Sequence, residues 1–196
     1  MNWVFRVTVA VAVTISTGLP VAVAAERPTI EHIRFDTPTL APMAYTQFCL
    51  RYPSECRTTK MFRGGPVRLS ASRRVELSRV NDVINAHIAP EANLQGLAGE
   101  VWLIGVERGD CNDYAVTKRH ELMARGWPAR ALLLSEVVTT GGDHHLVLVV
   151  RTFDGDLVLD NLTGKIKPWF KTSYRWLRIQ KPGVSRLWTT LVSRTA

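Results

Sequence analysis

The feature that most constrains the fold is a change of rhythm at Gly126-Trp127-Pro128. Before it, apolar residues recur at helical spacing. Leu77, Val80, Ile84 and Ile88 fall on one face of a segment that Ser70 or Ser72 can cap and Pro90 ends. A second helix is expected from Cys111 to Arg125, stopped by Gly126 and Pro128. After the break come Ala129–Val138, His145–Thr152 and Leu157–Asp160, all rich in Leu and Val. Turn signals at Gly141-Gly142 and Asp154-Gly155 separate them. Helices followed by an antiparallel meander define an α+β fold. The stretch from Glu26 to Pro66 carries five prolines (28, 38, 42, 53 and 66) and reads as loop-rich.

With 196 residues, 46% hydrophobic and 21% charged, the chain can bury the core of one domain, which excludes a disordered tail, a collagen-like fibre and a coiled coil. The first 25 residues are of another kind. Arg6 is their only charge, an apolar run spans Val7 to Ile15, and Ala22-Val23-Ala24 supplies an A-x-A cleavage site. That pattern reads as a secretory signal peptide over 1–24, leaving 25–196 as a single domain. The apolar centre is shorter than the ~20 residues of a spanning helix, and Gly18 and Pro20 interrupt it. The expected location is periplasmic or secreted, with no transmembrane segment after cleavage.

Export changes how the three cysteines are read. Cys49 and Cys56 bracket a short loop with a turn at Pro53-Ser54, and in an oxidising compartment they form a natural disulfide. Cys111 is left over. It sits in Gly109-Asp110-Cys111-Asn112-Asp113-Tyr114-Ala115, in the first turn of the second helix. A helix N-terminus favours negative charge and so lowers the pKa of a thiol, although Asp110 and Asp113 oppose it and call for a positive partner. Histidine is the usual partner. His120 lies nine residues up the same helix, about 13 Å away along the axis, too far to pair with the thiol. His144 and His145 open a strand. Both faces of that strand are apolar, so alternation does not choose between them. Asp160 ends the next strand, with the parity to share a face with His145. A two-residue turn at Asp154-Gly155 would set Asp160 opposite Val149, four residues from His145, whereas direct opposition needs a turn near Thr152-Phe153 or a bulge. A thiol, an imidazole and an orienting carboxylate make up the set used in nucleophilic acyl transfer.

The run Gly-Asp-Cys-Asn-Asp-Tyr-Ala, followed by His-x-Val-Leu and Gly-Asp-Leu-Val-Leu-Asp-Asn, resembles the bacterial transglutaminase-like cysteine proteinases. That family includes periplasmic proteases that clip surface adhesins. The likeness covers roughly Glu100 to Tyr174. It implies a papain/transglutaminase-like fold with Cys111 as nucleophile, His145 as base and Asp160 as orienting acid, and it selects His145 over His144. It also implies a protein substrate. No cofactor is required, though adhesin-clipping members bind calcium through acidic residues flanking the cysteine. Those positions here are Asp110 and Asn112, and the amide should weaken such a site. Members of this kind are often held by a membrane receptor. Trp102, a few residues upstream, is placed to line the substrate cleft or oxyanion site, or to belong to the core.

The net charge of +8 is uneven. From 161 to 196 there are eight basic residues and no acid, while the rest of the chain balances at 17 against 17. The aromatics Trp169, Phe170, Tyr174, Trp176 and Trp188 interleave these cations. Nucleic acid is not an expected partner for an exported chain, and an anionic surface partner suits it better. The alternative is that Trp176 and Ile179 pack the fold while the cations face water. The expected function is an exported cysteine peptidase or amide hydrolase working through a thioester. A transglutaminase-type acyl transferase shares all three residues. A non-catalytic binding module would use only the basic face.

Overall fold

A computed structural model describes Met1 and residues 31–57, 65–94 and 96–192. The proposed leader over 1–24 lies outside the described residues, apart from Met1. Among the described residues there are four helices and nine strands: β1 (Phe35–Thr39), α1 (Met43–Arg51), α2 (Ala71–His87), β2 (Ala89–Pro90), α3 (Gly96–Gly99), β3 (Arg108–Gly109), α4 (Cys111–Ala124), β4 (Leu132–Val138), β5 (His144–Thr152), β6 (Gly155–Leu159), β7 (Lys167–Pro168), β8 (Arg175–Lys181) and β9 (Val184–Leu191). Strands β4 to β6 form the expected meander, and the short β7 extends it. The hairpin β8–β9 joins its other side through β4, and β1 closes the edge, giving the order β1-β9-β8-β4-β5-β6-β7 with antiparallel pairing throughout.

The expected helices hold closely. Ser70 caps α2 by accepting the Arg73 N–H at 3.3 Å. The loop-rich reading of 26–66 needs correction, because α1 lies within it. Its prolines punctuate structure instead of preventing it: Pro42 stands immediately before α1, and Pro53 opens a 3₁₀ turn where a missing N–H costs nothing. The basic C-terminal segment also builds structure, supplying β8 and β9, with Ile179 and Trp188 almost fully buried.

Strand alternation sorts the core into two layers. Leu132, Leu134, Leu146, Leu148 and Val150 face the helices, together with Leu77, Val80, Ile84 and Leu122. Leu133, Val137, Val147, Val149, Val158 and Ile179 face away and meet Ile33 and Trp169. With both faces covered, the central strands are apolar throughout, which is why their alternation is silent in the sequence. Cys49 and Cys56 form the expected disulfide, joining α1 to the following turn. Glu55, beside it, is buried and accepts from the Arg119 guanidinium at 2.8 Å and the His120 imidazole at 2.7 Å, which fixes α4 to this corner. Among the described residues no helix is long and apolar enough to cross a membrane.

Candidate active site

Helix α4 starts at Cys111, and a reciprocal cap fixes that start. The Asp110 carboxylate accepts the Asn112 N–H at 2.9 Å, and Asp113 reaches back to the Asp110 N–H at 3.1 Å. The other Asp113 oxygen accepts the Leu103 N–H at 2.7 Å, tying the incoming loop to the helix. Gly109 is needed here, since a Cβ would stand 2.3 Å from the Asp113 carboxylate. The cap places Cys111, the free cysteine of the chain, in the wall of a cleft of about 390 Å³.

The cleft crosses the ends of β4 and β5 and draws on both faces of the sheet. Glu136 and His144 reach it from the helical side, and His145 from the other, where it shares a face with Val147 and Val149. The His145 Nε2 lies 2.8 Å from Asp160 Oδ1, with both side chains nearly fully buried. Asp160 also accepts the Leu162 N–H at 3.0 Å and the Tyr174 hydroxyl, and the Tyr174 ring packs 5.7 Å from the imidazole. Burial alone would raise the Asp160 carboxyl. The hydrogen bond and charge of His145, together with Tyr174 and Leu162, outweigh it and hold the carboxyl below its ordinary value.

The hairpin register differs from either sequence expectation. Thr152 pairs with Gly155 and Leu148 with Leu159, so the two-residue turn is Phe153-Asp154, one position before the Asp154-Gly155 signal. Asp160, one residue beyond Leu159, comes level with Val147. His145 and Asp160 are therefore diagonal neighbours on one face, and no bulge is needed for a histidine to span that offset.

The electrostatics of the thiol are the opposite of what a helix start alone implies. Burial pushes Cys111 up to about 12, and Asp110, Glu100 and Asp113 add to the rise, while the backbone N–H of Leu146 works against it. Desolvation and three nearby carboxyls outweigh one helix end, so the surroundings favour the neutral form of the thiol. Burial likewise raises Glu100, Asp110 and Glu136 raise it further, and Trp102 and Asn112 hold it down.

Trp102 is both core and cleft wall. It is 2% exposed and packs against Tyr45 and Phe48 at ring distances of 5.8 and 6.1 Å. Its indole N–H approaches Glu100 without closing a hydrogen bond. Two of the remaining histidines have other work: His32 contacts the Thr152 carbonyl at 2.8 Å, and His144 pairs with Glu136 at 2.7 Å. Glu136 also accepts from the Arg178 Nε, and a register shift between β4 and β8 beside Glu136 brings Arg178 to the cleft rim. Tyr174 escaped the sequence reading because it lies in the aromatic, basic segment with no pattern to set it apart from packing residues.

Asp110 and Asn112 stand immediately before and after the thiol at the start of α4. Asn112 Nδ2 donates to Glu100, which brings a second carboxyl-bearing side chain beside the pair. Among the described residues no group of three or more His, Cys, Asp or Glu side chains is placed to hold a metal.

The chain is similar in fold to three solved structures of Legionella pneumophila LapG. LapG itself matches at 23% identity with a TM-score of 0.50, over 59% of this chain and 68% of that one. A calcium-bound form matches at 24% and 0.53, over 62% and 72%. An EGTA-treated form matches at 22% and 0.50, over 63% and 69%. No curated protein sequence matches. The family model described as bacterial transglutaminase-like cysteine proteinase matches residues 35–196. With that match over most of its length, a papain/transglutaminase-like fold and a lone thiol at a helix start beside a histidine strand, the chain belongs to the bacterial transglutaminase-like cysteine proteinases.

Proposed function

We propose that the chain cleaves peptide bonds in protein substrates through a thioester, with Cys111 as nucleophile, His145 as general base and Asp160 as orienting carboxylate. The observation that carries this reading is the buried His145–Asp160 hydrogen bond at the rim of the cleft that holds the free thiol. Asp160 engages Nε2, which leaves Nδ1 to take the proton from sulfur. Because the surroundings favour the neutral thiol, deprotonation accompanies attack instead of preceding it. The sulfur adds to the carbonyl carbon, the C–N bond breaks, and His145 returns the proton to the departing amine. Water, deprotonated by the same imidazole, then opens the thioester and restores the thiol. The Cys111 N–H at the helix start is a donor available to the oxyanion. An amine in place of water would give transamidation with the same residues.

The proposed setting is outside the cytoplasm, after removal of residues 1–24, with 25–196 as the working domain. The disulfide and the leader-like sequence support it. A membrane receptor or an anionic surface partner would meet the basic face of β8 and β9. A calcium ion beside the thiol would be held by the Asp110 carboxylate and the Asn112 amide oxygen, more weakly than by two carboxylates, and no step is routed through it.

Iodoacetamide tests the reading without knowledge of the substrate. At neutral pH, mass spectrometry should find Cys111 alkylated in the native protein, with the rate falling at least about tenfold in His145→Ala. Equal rates in the two proteins would remove His145 from the mechanism and favour a non-catalytic module. Incorporation of a labelled amine into a glutamine-containing protein would instead identify a transglutaminase.

A further inference from the structure

The end of the sheet opposite the cleft gathers positive charge. A small pocket of about 20 Å³ opens there beside the start of β4, and around it stand Arg57, Arg119, Arg130, Gln180, Lys181 and Ser185. The four cations come from four separate parts of the chain. Arg57 follows the 3₁₀ turn Pro53–Cys56, Arg119 is on α4, Arg130 lies in the 3₁₀ turn Ala129–Ala131, and Lys181 ends β8. Among the described residues no acidic side chain lines the pocket.

The neutral groups of the wall are engaged with one another and with the main chain. Gln180 accepts the Leu134 N–H at 2.7 Å and donates to the Ser185 carbonyl at 3.0 Å. The Ser185 hydroxyl donates to the Cys56 carbonyl at 2.8 Å, beside the disulfide. These bonds join β4, β8, β9 and the disulfide corner into one frame. Arg119 is held too, its Nη1 donating to Glu55 at 2.8 Å and its Nε to the Leu132 carbonyl at 3.2 Å. Glu55 thus offsets one of the four charges from inside the protein. Arg57 and Lys181 are exposed and have no ion-pair partner among the described residues.

Gathering like charges costs free energy, which a bound anion would offset. A space of this size admits about one water-sized group, hence one oxygen of a larger anion. Three of the four cations are arginines, whose forked donors match the paired oxygens of a phosphate. We infer that the pocket is a phosphate site, taking one oxygen at its floor and leaving the others at the mouth, where Arg57 and Lys181 stand. It lies at the far end of β4 from Glu136 and His144 and shares no residue with the cleft except through their neighbours in the sheet. The inference therefore rests on neither the catalytic reading nor the proposed setting, though it gives the anionic partner named there a place and a chemistry. Free phosphate and an anionic phospholipid headgroup share that chemistry.

The test is calorimetric titration of inorganic phosphate into the protein at fixed ionic strength, with sodium chloride making up the balance. The wild type should show one saturable site, and the double variant Arg57→Gln, Lys181→Gln should bind at least about tenfold more weakly. The double variant Arg79→Gln, Lys165→Gln removes the same charge from exposed positions elsewhere and should keep the wild-type affinity. Phosphate should also raise the melting temperature of the wild type more than chloride of equal ionic strength does. Equal shifts by the two salts, or equal losses in the two double variants, would reduce the effect to net charge and overturn the proposal. If the Arg57, Lys181 variant does not fold by circular dichroism, the two single variants take its place, and if neither folds the comparison of salts on the wild type decides. Vesicles of phosphatidylglycerol identify the source. Co-sedimentation that inorganic phosphate competes away assigns a headgroup, whereas phosphate binding without co-sedimentation assigns the free anion and removes the membrane surface as a partner while the site stands. Failure of the catalytic reading appears separately, in Cys111 alkylation.

Discussion

Asp160 is 3% exposed and takes hydrogen bonds from an imidazole, a phenol and a main-chain N–H. Three donors on one carboxylate stabilise its anion and leave it little freedom to rotate. Its pKa is lowered in the fold, so it contributes stability that is present above the unfolded carboxyl's value and lost as the pH falls through the folded one. Tyr174→Phe removes one donor and raises the folded value. Unfolding in urea should show a loss of about 1–3 kcal/mol at pH 7, and the acid-unfolding midpoint should move to higher pH. An unchanged acid midpoint would mean that Tyr174 only packs. The role of Tyr174 was not legible in the sequence, because a phenol fourteen residues from its partner carries no local mark. Cys111 and Asp160 stand out in the sequence for the opposite reason, each at the end of a regular element where apolar rhythm gives way to a polar side chain, while the choice of His145 over His144 came from the family resemblance alone. The sign of the Cys111 shift was not legible, since desolvation depends on what the fold packs around the sulfur.

At the scale of elements, the start of α4 is the most tightly determined part of the site. Asp113 serves the Asp110 N–H and the Leu103 N–H together, and Gly109 leaves room for it to do so. Gly109→Ala would force the carboxylate aside and open the cap. Its expected cost is about 1–2 kcal/mol of stability by urea unfolding, with the alkylation rate of Cys111 changed in the same variant. A neutral substitution would show that the cap is not what orients the thiol. The β5–β6 hairpin shows how far a turn signal carries. Asp154-Gly155 marked the right place but not the right pair, because Gly155 takes its positive φ of 107° just after the turn. There it passes close to the Glu31 carbonyl, where an added Cβ would stand 3.1 Å away. That neighbour is more than a hundred residues distant, so no local rule could have supplied it. The slip of one position is what turns a distant pair into diagonal neighbours.

Across the whole molecule, the segment ahead of β1 acts as a strap. The Ile33 N–H donates to the buried Asp156 carboxylate at 2.7 Å, the Asp156 N–H reaches the Glu31 carbonyl at 3.3 Å, and His32 contacts Thr152 at 2.8 Å. All three bonds fall on the hairpin that carries His145 and Asp160, while β1 itself pairs with β9 at the far edge. Long-range ties of this sort, like the insertion of β8 beside β4, follow from topology and were silent in the sequence. The family match begins at residue 35, just beyond the strap. A recombinant version starting at Phe35 would strip Asp156 of the Ile33 N–H and leave a buried carboxylate short of a donor, at a cost of about 1–3 kcal/mol. Thermal melting should rank it clearly below one starting at Glu31, and equal melting points would mean the hairpin holds itself. The boundary that defines the kinship of this protein is therefore not the boundary at which to cut it: three residues ahead of the matched span brace the turn of the hairpin that carries His145 and Asp160.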